Sequence, residues 1–296
     1  MSWLSICVPT YNRKCLLEEL VASILAQNDL NVELVIVDDG STDGTQKYIE
    51  ELQKNSPIKI KYEWQNNSGK AAALRRAILI STSDFIIFMD SDDVFEEDAF
   101  ETIKAGLVKV RALTDRGSRI AGVSFNTYYK TGGLIGSPWP KDEMVANLIS
   151  IRSDYKVSGD KKEVVSRHIA RECIYDIDNN ERRVPTSLLW SSVAERYDFL
   201  FINAVVAKKD YLVGGITDNI DRIKVDNPVS MMKLNNILLN SCRYRSRLFR
   251  LKSAFNYLYY SFWAGRSVSI GWGYYCMYPF AYVFYMYKRF SLKRGV

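Results

Sequence analysis

The stretch Phe85-Ile86-Ile87-Phe88-Met89-Asp90-Ser91-Asp92-Asp93 runs from an apolar segment into a knot of carboxylates. Its apolar part shows no alternation, the pattern of a strand covered on both faces of a parallel sheet. The acids then fall at the strand's C-terminal end, where open α/β sheets form their ligand crevice. Carboxylates this close repel one another unless a cation is shared. Hard oxygen ligands at such an edge suit Mg2+ or Mn2+ held together with substrate phosphates. The same residues also read as a solvated acidic turn, since Glu96, Glu97 and Asp98 follow. What precedes them separates the two readings.

Upstream, residues 4–8 are apolar and Pro9-Thr10-Tyr11-Asn12 interrupts them. Residues 16–27 carry apolar side chains at helical spacing. Residues 32–37 form a second apolar strand ending in Asp38-Asp39-Gly40-Ser41-Thr42-Asp43, a carboxylate pair with a turn glycine and a helix N-cap. Residues 45–54 read as a helix and 58–64 as a third strand. Residues 69–81 read as a helix opened by Asn66-Asn67-Ser68-Gly69-Lys70. Strands alternating with helices predict a parallel sheet with right-handed crossovers. In such a sheet the polar clusters 9–12, 38–43, 67–70 and 90–93 meet in one crevice. The set suits a nucleoside diphosphate: Tyr11 for the base face, Asp39 for a base N–H, Lys70 or Arg75 for phosphate, Asp90 for the ribose, Asp92 and Asp93 for the metal.

Other chemistries fit less well. No GxGxxG follows the first strand and no GxxxxGK[ST] exists, which argues against dinucleotide and P-loop sites. A phosphatase DxDG[ST] motif would need an acid at residue 37, which is Val37. His168 is the only histidine, so a histidine-based triad or metal cluster would hang on one residue. The five cysteines are scattered without CxxC spacing, against a disulfide scaffold or zinc site and in favour of a reducing compartment. The first residues read as a strand, so no secretory leader is expected.

VPTYNR (8–13), VDDGSTD (37–43), NSGKAAALRRAI (67–78) and DSDD (90–93) together resemble the ordered signature of family 2 glycosyltransferases. The resemblance implies an α/β GT-A fold, with a Rossmann-like, mostly parallel central sheet flanked by helices. It implies an inverting transfer from a nucleotide sugar, UDP-linked, assisted by Mn2+ or Mg2+. Pro9, Thr10, Tyr11, Asp39, Lys70, Arg75, Asp90 and Ser91 would then bind the nucleotide sugar, and Asp92 and Asp93 the metal. In the second half, GDKKE (159–163), YDFLFINAVV (197–206), DYLVGGITDN (210–219) and KVDNP (224–228) resemble a bacterial subset that builds capsule or O-antigen repeat units.

That half also departs from the family. Many members open the helix before the late strand with a Glu-Asp pair that supplies the base. Here Pro185 and Thr186 stand in that place. Asp176, Asp178 and Glu181 lie just upstream, and Glu181 is taken as the expected base. Residues 96–110 and 184–197 read as helices, 120–129 and 199–206 as strands, and 131–140 as a loop for the acceptor side. No periodicity organises residues 142–178.

The end of the chain has its own character. Of 40 basic and 34 acidic residues, eleven basic and no acidic ones lie in 227–296, leaving residues 1–226 at a net −5. Residues 267–287 hold no charge and are long enough to cross a bilayer, but six tyrosines and a central Pro279 favour the headgroup region instead. The expected organisation is a glycosyltransferase domain over 1–230, with a nucleotide-binding half 1–130 and an acceptor half 131–230. A basic, aromatic, amphipathic helical tail over 231–296 follows, lying on anionic lipid. The expected setting is cytoplasmic, peripheral at the inner face of a bacterial cell membrane, with a polyprenyl-diphosphate-linked glycan as acceptor and no nucleic acid. The alternative is a non-catalytic sugar-nucleotide-binding or scaffold subunit of a glycan assembly complex.

Overall fold

The computed structural model describes residues 2–294 apart from 177, 179–180 and 211–219. The 210–219 motif therefore lies, beyond Asp210, outside the described residues. The first half follows the expected alternation. β1 (Leu4–Thr10), β2 (Glu33–Asp38), β3 (Lys59–Trp64) and β4 (Phe85–Phe88) pair in parallel in the order β3-β2-β1-β4. The crossovers are α1 (Lys14–Leu25), α2 (Thr45–Asn55) and α3 (Lys70–Ile80). β1 and β2 are buried along their whole length, which is why neither alternates. Leu4, Ile6 and Val8 pack with α1 and α2 on one face, while Cys7, Val35 and Val37 pack with α3 on the other.

The second half extends the sheet through α4 (Ala99–Asp115), β6 (Ile120–Tyr129), β7 (Met144–Ala146), α5 (Leu148–Ser153), β8 (Lys162–Ser166), α6 (Arg167–Glu172), α7 (Ser187–Ala194) and β9 (Asp198–Lys209). The full order is β3-β2-β1-β4-β8-β6-β9-β5, where β5 is Val94–Phe95, with β7 also on β9. β8 runs antiparallel to both β4 and β6, whereas β6 and β9 are parallel. β8 comes from the stretch that shows no periodicity, since four consecutive buried residues, Lys162 to Val165, leave no pattern. Residues 94–95, within the acidic run, form β5 (Val94–Phe95) against β9, and this delays the following helix to Ala99.

The tail folds as α8 (Ile220–Asp226), α9 (Pro228–Asn240), α10 (Arg247–Ala264), a 3-10 turn over Trp272–Met277 and α11 (Tyr278–Arg294). Pro279 stands in the first turn of α11, where a missing N–H costs nothing. Ala71, Val184 and Leu188 of the body share one core cluster with Met231, Leu234, Leu258 and Ala281, so the tail packs onto the body. Phe262 meets Tyr278 edge-on at 5.1 Å and Trp263 meets Tyr285 at 5.0 Å, joining α10 to α11.

One charge sits deep in this framework. Glu33 is fully buried at the start of β2. It accepts from Ser5 Oγ at 2.8 Å and from Thr82 N and Oγ1 at 2.8 and 2.7 Å, and Lys61 Nζ stands at 2.9 Å. Burial alone would raise its pKa, but Lys61 and Thr82 hold it down to about 2. Its stabilising effect is therefore present above the unfolded value of about 4.3 and is lost as pH falls toward about 2. Glu33→Gln is expected to cost about 3 kcal/mol at neutral pH. Urea denaturation should show the difference from wild type closing between pH 4 and 2, roughly.

Candidate active site

The C-terminal ends of β1, β2 and β4 open into one cavity of about 640 Å³, within the range of small-molecule sites. Pro9, Thr10, Tyr11, Asp39, Lys70, Asp90, Ser91 and Asp92 line it. Because β8 runs backwards, its start (Lys162, Glu163) and the preceding Asp160 and Lys161 reach the same edge. Lys209 and Asp210 arrive there from the end of β9.

The acid knot is neutralised by the chain itself. Lys70 Nζ stands 2.5 Å from Asp90 Oδ1, and Arg13 Nη1 stands 3.2 Å from Asp92 Oδ2. Lys162 pairs with Asp93, whose Oδ2 also accepts from Asp90 N at 2.7 Å. Lys209 lies 2.8 Å from Asp160, 3.7 Å from Asp90 and 3.8 Å from Asp93. Burial would raise the Asp90 carboxyl, but Lys70, Lys162 and Lys209 hold it well below the usual range. Burial pushes Asp93 up. Burial would lower Lys209, but Asp93, Asp90 and Asp160 raise it. Sequence reasoning supplied a shared metal as the cation these acids require; the structure supplies lysines from two later strands. The Lys161-Lys162 pair close before Val164-Val165 was the available signal.

The two residues expected to hold metal differ. Asp92 lines the cavity, and its Oδ1 is buried without a hydrogen-bond partner. A hard cation fits that oxygen. Asp93 is fully buried and held by Lys162, and it does not line the cavity. Among the described residues no group of three His, Cys, Asp or Glu side chains is arranged around one metal position. Asp92 would therefore be the protein's ligand to a cation held mainly by phosphate oxygens and water.

Other expected residues take additional duties. Asp39 accepts from Gln65 Nε2 at 2.7 Å and from Ser68 N and Gly69 N at 2.8 Å, so it shapes the loop that opens α3. Gly69 has φ 94° and a Cβ there would sit 1.7 Å from Arg182 O, so only glycine lets the two loops meet. Arg75 does not reach the main cavity; it lines a small apolar pocket with Leu74, Phe88 and Trp190.

Glu181 is placed away from the chemistry. It is buried, and it accepts from Val229 N at 2.5 Å, Ser230 N at 2.9 Å and the Ser230 hydroxyl. It caps the free N–H groups of α9 from another segment. Asp178 Oδ2 lies 3.2 Å from Arg266 Nη2, and neither Asp176 nor Asp178 lines the cavity. The segment sends Arg182, Arg183 and Thr186 into the cavity instead. Asp160, Glu163 and Asp210 are the carboxylates that the second half does contribute. Burial pushes Glu163 up, while Lys209 holds Asp160 down against burial. Lys161 is buried, donates to Asn126 Oδ1 and Ser137 O at 2.7 Å, and so pins loop 131–140 to β6. Burial and nearby Arg152 push it down to about 8.

Comparison with known proteins bears on the family and the fold. A family model described as glycosyl transferase family 2 matches residues 5–141. A putative teichuronic acid biosynthesis glycosyltransferase, TuaG of Bacillus subtilis, is 36% identical over 98 residues, which are 33% of this chain and 38% of that protein. The matched stretch spans less than half the length of such curated relatives. The S. aureus TarS 1–349 structure in complex with UDP-GlcNAc superimposes with TM-score 0.64 at 18% identity, covering 94% of this chain and 79% of that one. The mannosyltransferase PcManGT from Pyrobaculum calidifontis, in complex with GDP-Man and Mn2+, gives 0.55 at 15% identity, covering 98% and 80%. These likenesses extend the shared fold into the second half.

Glu181→Ala is expected to lower stability by about 2 kcal/mol, because it uncaps a buried helix start. Nucleotide affinity should be unchanged. Thermal melts and nucleotide titration of the variant check both.

Proposed function

Residues 5–141 match a family model described as glycosyl transferase family 2, and from this premise we propose that the chain transfers a sugar from a nucleoside diphosphate sugar to a lipid-linked glycan. The observation that carries this is the meeting of Tyr11, Asp39, Lys70, Asp90 and Asp92 in one cavity at the strand ends. We take the donor as UDP-linked, since a TarS structure of the same fold holds UDP-GlcNAc.

In this reading the acceptor oxygen attacks the anomeric carbon as the bond to the diphosphate breaks, which inverts that centre. Lys70, Arg13 and the N-terminus of α3 are placed to receive the charge gathered by the leaving diphosphate. A divalent cation on Asp92 would add to that neutralisation. The proton of a hydroxyl acceptor goes to a cavity carboxylate outside 176–181, and Asp160, Glu163 and Asp210 line the space. The replacement of the Glu-Asp pair by Pro185 and Thr186 favours a second reading, a non-catalytic sugar-nucleotide-binding subunit. Mn2+-dependent hydrolysis of a nucleotide sugar separates the two.

UDP with Mn2+ should raise the melting temperature with the logarithm of ligand excess. Asp92→Asn should remove the Mn2+-dependent part and leave metal-free UDP binding within about twofold. Unchanged Mn2+ dependence in that variant would move the metal elsewhere.

The tail is the proposed membrane contact. Trp272, Phe280, Val283, Tyr287 and Phe290 are exposed on it, with Lys288 and Arg289 beside them. Such an aromatic and basic surface suits anionic headgroups. Among the described residues no helix is long and apolar enough to cross a membrane. Binding to vesicles containing anionic lipid is expected in flotation assays. It should be lost in the W272S/F280S/F290S variant, whose substitutions leave the packed side of the tail intact.

A further inference from the structure

We propose that Arg182 and Arg183 form an anion seat that takes a phosphate ester carried by the acceptor. The proposal rests on the glycosyltransferase reading above and names a chemical requirement of its acceptor.

The argument starts from the cations of the cavity. Seven line it: Arg13, Lys70, Lys161, Lys162, Arg182, Arg183 and Lys209. Arg13, Lys70, Lys162 and Lys209 are each held on a carboxylate. Lys161 spends its N–H groups on neutral oxygens of Asn126, Ser137 and Ile135. Arg182 and Arg183 remain. Both are exposed, and among the described residues neither side chain is in an ion pair.

Their backbone is fixed although their side chains are unpaired. Glu181, immediately before them, is buried in the cap of α9. Arg183 N donates to Asn227 Oδ1 at 2.9 Å, and Arg182 O lies against Gly69. The segment is thus held at both ends of the pair, and both arginines, each ending in a guanidinium fork, line the cavity. Such forks match the oxygens of a phosphate.

A second feature points the same way. α7 begins directly after this segment, with Thr186 at its N-cap lining the cavity. No side chain caps it, and its first turn contains no acid. Its N–H groups and dipole add positive potential beside the two arginines. The donor reading draws on Lys70 and Arg13, each of which already pairs with a carboxylate, whereas the arginine pair is not called on there. A segment offering two arginines and no carboxylate is built to hold an anion.

Titration calorimetry with three probes tests this: farnesyl phosphate in dilute detergent, sn-glycerol 3-phosphate, and UDP with Mn2+. The wild type is expected to bind a phosphate ester. The R182Q/R183Q variant should bind it about tenfold or more weakly while its UDP affinity stays within about twofold. Arg183→Lys, which keeps the charge, should retain part of the affinity, and unchanged melting temperatures show that the variants fold. Tighter binding of farnesyl phosphate than of glycerol phosphate identifies a lipid phosphate, and equal binding identifies the phosphate group alone. The proposal is overturned if neither ester binds the wild type, or if UDP affinity falls in parallel with ester affinity, which assigns the arginines to the donor. If an ester binds but no nucleotide does, the seat stands and the glycosyltransferase reading falls.

Discussion

Buried carboxylates at the end of β4 cannot stand next to one another without positive charge. Fully buried Asp93 obtains it from Lys162 and Lys209, and half-buried Asp90 from Lys70 and Lys209, so lysines on β8 and β9, far along the chain, are drawn to this edge. This requirement ties the two halves together. It places the start of β8 and the end of β9 at the same sheet edge as the end of β4. β8 can satisfy it only by running against its neighbours, and the sheet order β4-β8-β6-β9 follows. The ion pairs are costly to desolvate, so their value lies in specifying this arrangement as much as in stabilising it.

A second constraint links the cavity to the tail. Glu181 accepts the free N–H groups of α9, and Val184 and Leu188 share a core cluster with α9 and α10. The wall that carries Arg182, Arg183 and Thr186 is therefore held by α9 and α10, and α10 in turn packs on α11, which presents Phe280 to the outside. Movement of the tail at a surface would be felt at that wall, because the contacts are continuous.

Much of the site was legible because its residues follow strands in sequence. Polar clusters after four apolar runs had to meet once the runs paired in parallel, and Tyr11, Asp39, Lys70, Asp90 and Asp92 do line one cavity. Legibility ended where partners are distant. Glu33 lies within the 32–37 run with no local mark of its role, yet Ser5, Lys61 and Thr82 enclose it. Asp93 resembled its neighbours in DSDD, and only Lys162 distinguishes it from Asp92. Glu181 looked free in a polar segment, although Ser230 claims it.

The amino-acid sequence by itself determined the alternation of strand and helix, the parallel first half, and the edge at which chemistry would gather. Periodicity and strand-end polarity are local, and they survive in the order of residues. The tertiary structure decided which carboxylates are free to meet a ligand and which are already neutralised. It also decided that residues 181–183 turn their acid inward and their arginines outward. Those outcomes depend on Coulomb and hydrogen-bond partners brought from tens of residues away, and no local pattern encodes them.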